Sequence, residues 1–252
     1  TKAFGFVGGY ESMGTDGGAL GATLAFVTAE EKDEIAKIGE ETSVSLLEAG
    51  VYWRRSIGKF TINARGSGGY GWFTGDRVFI DPTTQLIVES TADWTGFTGV
   101  ASASASYEFT AGRFYARPAV SVDYLYLSED SRAENGKSGG FNQEVGARTS
   151  DRLSSTAELA LGATFGRDLW WRPELRFGYR QHISGEIGDT VFRFVGGQWV
   201  ALPATEAGDG AMLVGLSLKA GTAMSYVAVE GEYEAVDGED RVNLQLAGRV
   251  MF

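Results

Sequence analysis

The chain has 252 residues with no Cys, one His, 36 Gly and 4 Pro, and its formal net charge is −11. This acidic balance argues against nucleic-acid binding, because phosphate backbones recruit basic surfaces, and the absence of Cys excludes disulfides and thiolate metal sites. No apolar run reaches the roughly 18 to 20 residues that a membrane-spanning helix needs.

Alternating apolar and polar residues recur along almost the whole chain. Side chains alternate between the two faces of a strand, so each such segment predicts a strand with one apolar row. In chain order the predicted strands are 3–11, 19–28, 44–55, 60–73, 94–109, 113–127, 153–165, 170–183, 211–220, 225–236 and 241–252. Glycines 66–71 fall inside one of them, with no helix following, so they do not form a phosphate-binding loop.

The last segment shows the alternation most clearly. One row is apolar and ends on the terminal aromatic residue: Val242, Leu244, Leu246, Val250 and Phe252, with Gly248 between them. The other row contains Arg241, Asn243, Gln245, Ala247 and Arg249.

The connections between predicted strands alternate in length. Short turns lie near residues 14, 56–59, 110–113, 166–169 and 221–224, while mostly long polar loops span 29–43, 74–93, 128–152 and 184–210. Short turns at one end and long loops at the other are typical of outer-membrane barrels. We therefore predict one domain, 1–252, with an all-β fold: a transmembrane antiparallel up-and-down β-barrel.

The number of strands follows from their direction. If Phe252 lies on the side of the short turns, the first predicted strand, 3–11, runs toward that same side. An even-stranded barrel then needs one more strand. We expect about twelve strands, with the first upstream of Thr1; the alternative is that residues 191–195 supply the extra strand.

The row opposite the apolar residues is charged with both signs. Burying so many ions in a dry core would cost several kcal/mol each unless all were paired, so a water-filled interior is favoured. The residues predicted to line this lumen are Glu48, Arg54, Arg65, Arg117, Asp123, Glu158, Arg172, Glu174, Arg176, Arg180, Lys219, Glu230, Glu232, Asn243 and Arg249. We also consider that Arg172, Arg176 and Arg180 face Glu230, Glu232 and Glu234.

Two segments suggest other structure or chemistry. Residues 30–41 are the one helix-like stretch, with Thr28 and Glu31 resembling a capping box. His182, near Ser184, Glu186 and Asp189, permits the hypothesis of a hydrolase, although a polar lumen or rim His is the simpler interpretation. We predict no enzyme activity, no cofactor and no metal site.

Several segments together form a recognisable pattern through their order and spacing. In chain order they are FGFVGGYES, GGALGATLAFV, LLEAGVYWRRSIGKFTINARGSGGYGWF, RPELRFGYRQH, AMLVGLSLKAG, YVAVEGEYEA and RVNLQLAGRVMF. In these, the chain resembles the β-domain of autotransporters, the type V secretion translocators of Gram-negative outer membranes. The resemblance implies a twelve-stranded barrel whose pore is threaded by a helix and linker from an N-terminal passenger. It also implies that the Phe-ending strand (Val242, Leu244, Leu246, Val250 and Phe252) is the signal read by the barrel-assembly machinery.

The resemblance implies a translocator or anchor in the outer membrane, forming the C-terminal part of a longer chain and presenting its passenger at the cell surface. The expected partners are outer-membrane lipid and lipopolysaccharide, the barrel-assembly machinery and the passenger, around a monomeric barrel. A stand-alone porin for small solutes is the alternative, since a lumen of mixed charge suits it equally well.

Overall fold

The computed structural model describes residues 2–14, 18–33, 40–80, 85–136, 139–204, 210–236 and 239–250. Within these ranges the only helical element is a 3-10 turn, Gly139–Phe141. The strands in chain order are β1 (Lys2–Met13), β2 (Gly18–Asp33), β3 (Glu40–Ile57), β4 (Phe60–Ile80), β5 (Ile87–Tyr107), β6 (Phe109–Ala111), β7 (Phe114–Glu129), β8 (Arg132–Ala133), β9 (Asn135–Gly136), β10 (Gln143–Val145), β11 (Arg148–Ala163), β12 (Trp170–Ser184), β13 (Thr190–Phe194), β14 (Val200–Leu202), β15 (Gly210–Gly221), β16 (Ser225–Val236) and β17 (Glu239–Val250). None of the described helical residues forms a helix long and apolar enough to cross a membrane.

Eleven long strands form one antiparallel sheet, which we call the wall. They pair in the order β1-β2-β3-β4-β5-β7-β11-β12-β15-β16-β17, each with its neighbour in the chain among the long strands. Each of the eleven predicted segments corresponds to one of these strands, so the all-β, antiparallel, up-and-down prediction is confirmed. The glycines of 66–71 lie inside β4, as expected.

Strand alternation separates the wall into two faces. On β17 the side chains of Val242, Leu244, Leu246 and Val250 are 68–80% exposed, all on one face. A folded domain in water would bury such a row, whereas a barrel in a bilayer presents it to lipid. We call this the outer face, and the opposite polar face the inner face.

The first and last wall strands are the two edges of the sheet, and we call the space between them the seam. Eleven strands that alternate in direction leave β1 and β17 running the same way. No backbone pairing joins these two strands in the described part of the chain.

Residues 191–195 do not supply an additional wall strand. Thr190–Phe194 instead pairs with β10 and β14 in a separate four-stranded sheet, ordered β14-β13-β10-β8. This sheet is built from the segments predicted as the loops 128–152 and 184–210, so those loops are more structured than expected. The alternative strand assignment is therefore wrong, because backbone pairing within the loops satisfies this segment.

The hairpins at the loop end are also longer than predicted. The β4–β5 ladder extends to Ile80 opposite Ile87, well into the predicted loop 74–93. The helix predicted for 30–41 is wrong in its described part, because β2 continues to Asp33 and β3 begins at Glu40; residues 34–39 lie outside the described residues. Lys32 Nζ lies 2.9 Å from Glu30 Oε1 on the same strand and 2.8 Å from Glu41 Oε2 on β3. Three charged residues of the helix-like stretch therefore form ion pairs on the β2–β3 strand pair.

The assignment of the two faces predicts an asymmetric effect of charge on β17. Replacing Leu244 by Arg places a cation on the outer face and should lower the free energy of unfolding in a bilayer by about 2–4 kcal/mol if the site lies near the midplane. The control is Asn243→Arg, on the inner face opposite Glu232. It should change stability by no more than about 0.5 kcal/mol. Equal losses in reversible denaturation from lipid vesicles would refute the face assignment.

Candidate functional site: the ion-paired inner face

Aromatic side chains flank the apolar rows of the outer face. Trp53, Trp72, Tyr124, Trp171 and Tyr179 are all 39–48% exposed. Aromatic girdles of this kind lie at the two interfaces of membrane barrels. Phe252 lies outside the described residues.

A carboxylate at the turn end of the inner face connects both edges of the wall. Glu11 on β1 accepts hydrogen bonds from Arg54 Nε at 2.8 Å and from Tyr52 Oη at 3.0 Å, both on β3. It also pairs with Arg249 on β17, across the seam. The side chain of Glu11 is only 11% exposed, so this cluster is the most enclosed contact between the edges.

A glycine makes the Glu11 cluster possible. Gly21 on β2 lies opposite Glu11 on one side and Tyr52 on the other. A Cβ atom at Gly21 would lie 2.3 Å from Cζ of Tyr52, far inside van der Waals contact. The missing side chain therefore lets Tyr52 lie across β2 and reach Glu11.

The same arrangement recurs on the far side of the wall. Glu174 on β12 accepts hydrogen bonds from Tyr115 Oη at 2.7 Å and Arg117 Nη2 at 2.6 Å, both on β7. The intervening residue on β11 is Gly162, where a Cβ would lie 2.3 Å from Oη of Tyr115. The Arg172 guanidinium also stacks 3.7 Å from the centroid of the Tyr115 ring.

Two of the three arginines on β12 meet the acidic row of β16. Arg180 Nη1 lies 2.6 Å from Glu234 Oε1, and Arg176 Nη2 lies 3.7 Å from Glu230 Oε2. Lys219 on β15 also binds Glu230, at 3.1 Å. Arg172, in contrast, pairs with Glu108 in the turn after β5.

Other residues predicted to line the lumen lie apart from these clusters. Asp123 accepts hydrogen bonds from Ser102 Oγ at 2.6 Å and Ser121 Oγ at 2.9 Å. The remaining five make no ion pair or side-chain hydrogen bond with another described residue: Glu48, Arg65, Glu158, Glu232 and Asn243.

The ion pairs have a common geometry and remain partly hydrated. Glu11–Arg54, Glu174–Arg117 and Glu234–Arg180 each join strands that are two apart, reaching over one intermediate strand. The cations retain between 20% side-chain exposure at Arg176 and 38% at Lys219. This partial exposure avoids the desolvation cost of dry ion pairs and limits the net stabilisation from each pair.

The sequence interpretation missed Glu11, Tyr52 and Tyr115. Each lies on a predicted strand and alternates with outer residues such as Tyr10, Trp53 and Phe114, so position along the strand places it on the inner face. Glu11 is the last residue of its predicted strand, and the two tyrosines carry no charge that would mark them as ion-pair partners.

His182 lies near the loop end of β12, opposite Ser154. Its Nδ1 is buried and has no hydrogen-bond partner. The described residues therefore contain no serine hydroxyl or carboxylate bound to this nitrogen, as a Ser–His–acid arrangement would need.

A sequence model of the family "Autotransporter beta-domain" matches residues 1–234. The chain belongs to this autotransporter β-domain family. The match confirms the resemblance and identifies the chain as a translocator and anchor domain of the bacterial outer membrane. No curated protein matches the chain significantly.

Solved structures agree on the fold of this β-domain. The translocator domain of autotransporter NalP from Neisseria meningitidis has a TM-score of 0.75 at 12% identity, covering 99% of this chain and 81% of that one. The β-domain of the Bordetella autotransporter Brka has a TM-score of 0.61 at 16% identity, covering 99% and 92%. LpxR from Salmonella typhimurium has a TM-score of 0.54 at 12% identity, covering 98% and 88%.

The Glu11 cluster should contribute measurably to stability. Glu11→Gln removes the charge that holds Tyr52, Arg54 and Arg249 together. Hydrogen bonds to charged groups contribute about 1.5–3 kcal/mol, so we expect a loss toward the lower end of that range at such a partly hydrated site. Reversible unfolding in lipid vesicles measures the loss.

Glu48→Gln is the matched control, because Glu48 lies on the same inner face without an ion pair. It should stay within about 0.5 kcal/mol of the unsubstituted protein. Similar losses for the two substitutions would show that the Glu11 cluster adds nothing specific.

Proposed function

We propose that this β-domain anchors an N-terminal passenger in the outer membrane and that its inner face lines a hydrated conduit for that polypeptide. The observation that carries the proposal is the division of one sheet into an outer apolar face and an inner ion-paired face. In this arrangement lipid contacts the outer face, while water hydrates the polar groups of the lumen. These include Glu48, Arg65, Glu158, Glu232 and Asn243, which make no ion pair or side-chain hydrogen bond with another described residue.

We propose further that one more strand closes the barrel at the seam. An antiparallel barrel requires a strand that runs opposite to both β1 and β17, because these two run the same way. The Glu11–Arg249 pair supports this closure, since the comparable pairs Glu11–Arg54, Glu174–Arg117 and Glu234–Arg180 each reach over one intermediate strand. In a bilayer, such closure satisfies the backbone groups of both edges.

The expected partners of the closed, monomeric barrel are outer-membrane lipid and lipopolysaccharide, and the barrel-assembly machinery. The exposed row Val242, Leu244, Leu246 and Val250 supports both, because it offers lipid and an assembly factor a continuous apolar strand. Phe252 continues this row in the sequence. Family membership supports the translocator over a stand-alone porin, and no comparison supports the porin.

Heat-modifiable migration of the native protein tests the anchor function. Folded barrels migrate anomalously until boiled, so an antibody to this domain should detect a heat-modifiable band in outer membranes. A band much larger than the 27.0 kDa of this chain would support an attached passenger. If the band has about the size of this chain, the proposal holds only when a released passenger is detected separately at the cell surface. If no passenger polypeptide is found in either form, the proposal is refuted.

We propose that the domain itself catalyses no reaction; in support, Nδ1 of His182 has no hydrogen-bond partner among the described residues. His182→Ala should therefore leave passenger display, heat-modifiability and any lipid-hydrolysing activity of purified membranes unchanged. A specific loss of hydrolysis in a variant that folds and displays normally would reveal a catalytic role for His182.

A further inference from the structure

The inner face is covered unevenly at its loop end. On β5 and β7 the inner residues Ser90, Trp94 and Glu129 are 1%, 8% and 3% exposed. Ser90 and Trp94 contact residues 132–136 and 139–145, which we call the inward segment. The loop end of the lumen is its opening, which we call the mouth. The inward segment thus covers the β4–β5–β7 side of the mouth.

An ion pair and a backbone contact attach the inward segment to β4. Arg77 on β4 donates from Nε to Glu134 Oε1 at 2.8 Å and from Nη2 to Glu134 Oε2 at 2.7 Å. The same Nη2 donates to the carbonyl oxygen of Phe141 at 2.8 Å. Bidentate Arg–carboxylate pairs add geometric specificity, so this attachment defines the position of the segment.

Contacts to β5 extend the attachment. The Arg132 guanidinium lies 4.0 Å from the centroid of the Trp94 ring, and Ser90 Oγ donates to Asn142 Oδ1 at 2.9 Å. Residues 135–136 also pair with β5 through the backbone. Burial lowers the pKa of Arg132, consistent with its enclosure between the segment and the wall.

The opposite side of the inner face is more open and carries fewer charges. β5 and β7 are the fifth and sixth of the eleven wall strands, so they lie far from both edges. At the edges, the inner rows between the Glu11–Arg249 pair and Arg241, at the loop end of β17, contain only uncharged residues. We call these residues the seam sector: Ala3, Gly5, Val7 and Gly9 on β1, and Asn243, Gln245 and Ala247 on β17. Val7 is 59% exposed, and Asn243 and Gln245 are also exposed.

The charged and covered sides of the inner face differ from the seam sector in how they would interact with a polypeptide that passes through the lumen. Fixed charges attract some side chains and repel others, so a charged wall discriminates between sequences. Small neutral side chains discriminate little and leave space for side chains of any kind. An extended polypeptide of arbitrary sequence therefore fits the seam sector better than the charged β7–β16 side or the covered β4–β7 side.

We propose that an extended polypeptide passes through this domain along the seam sector, while the inward segment remains in place on the opposite side of the mouth. The inference rests on the proposed translocator function and specifies the surface that the polypeptide contacts. The inward segment then acts as a fixed wall that narrows the mouth, and the seam sector is the passage.

Photo-crosslinking in cells tests the path directly. The full chain, carrying an epitope-tagged polypeptide ahead of Thr1, is made with a photo-reactive residue in place of Gln245 or of Ser104. Ser104 is the matched control because it lies on the inner face of β5. Irradiation during secretion should give several-fold more adduct with the tagged polypeptide at Gln245, in variants that keep heat-modifiable migration.

Equal adducts, or more at Ser104, would overturn the assigned path while leaving translocation intact. Surface display of the tag without adducts at either position would overturn it as well. A tag that never reaches the surface with the unsubstituted domain would instead refute the proposed function, so the two failures are distinguishable.

A disulfide provides an independent test, since the chain has no Cys. Thr91 on β5 and Asn135 in the inward segment are directly paired across antiparallel strands, where opposite Cβ atoms lie about 4.5–5.5 Å apart. Thr91→Cys and Asn135→Cys can therefore form a disulfide with a small backbone adjustment. Locking the inward segment in this way should leave tag display unchanged. A loss of display that is restored by reductant would show that the segment must move, and would overturn the proposal.

Discussion

Backbone hydrogen bonding in a bilayer is the constraint on which this structure depends. Hydrocarbon offers no partner for an N–H or C=O group, so each group must pair within the protein. Between its two edges, the chain meets this requirement with one continuous antiparallel ladder in which each long strand pairs with its neighbours in sequence. Local connectivity, strict alternation of side chains and the long hairpins all follow from that ladder.

Because side chains alternate along each strand, the two faces of the wall differ in polarity and in the contacts that they make. The outer rows need only be apolar, so they require no specific partner within the wall. The inner rows contain charges of both signs in contact with water, and their side chains form pairs that reach across an intermediate strand. Glycines such as Gly21 and Gly162 create the space for those contacts. The wall is therefore stabilised across strands that share no backbone hydrogen bond.

The loop-end residues add an element that the wall alone does not require. The inward segment, which contains two strands of the separate sheet, is attached to the side of the wall farthest from the seam through Arg77, Ser90 and Trp94. At the edges, the inner residues between the Glu11–Arg249 pair and Arg241 are uncharged. An otherwise regular sheet thus acquires one covered and one more open side.

The sequence by itself determined the fold class, the eleven wall strands and the face on which each of their residues lies. Strand alternation is local, so each apolar row can be recognised without knowing which strands pair with it. It also carried the family resemblance. Only the tertiary structure decided which charges pair, since the partners of Glu11 and Glu174 depend on register and on small residues in an intervening strand. The tertiary structure also decided that residues 190–194 join a separate sheet and that the β2–β3 hairpin continues through Lys32. Both outcomes depend on pairing between segments, which the alternation along one segment does not encode.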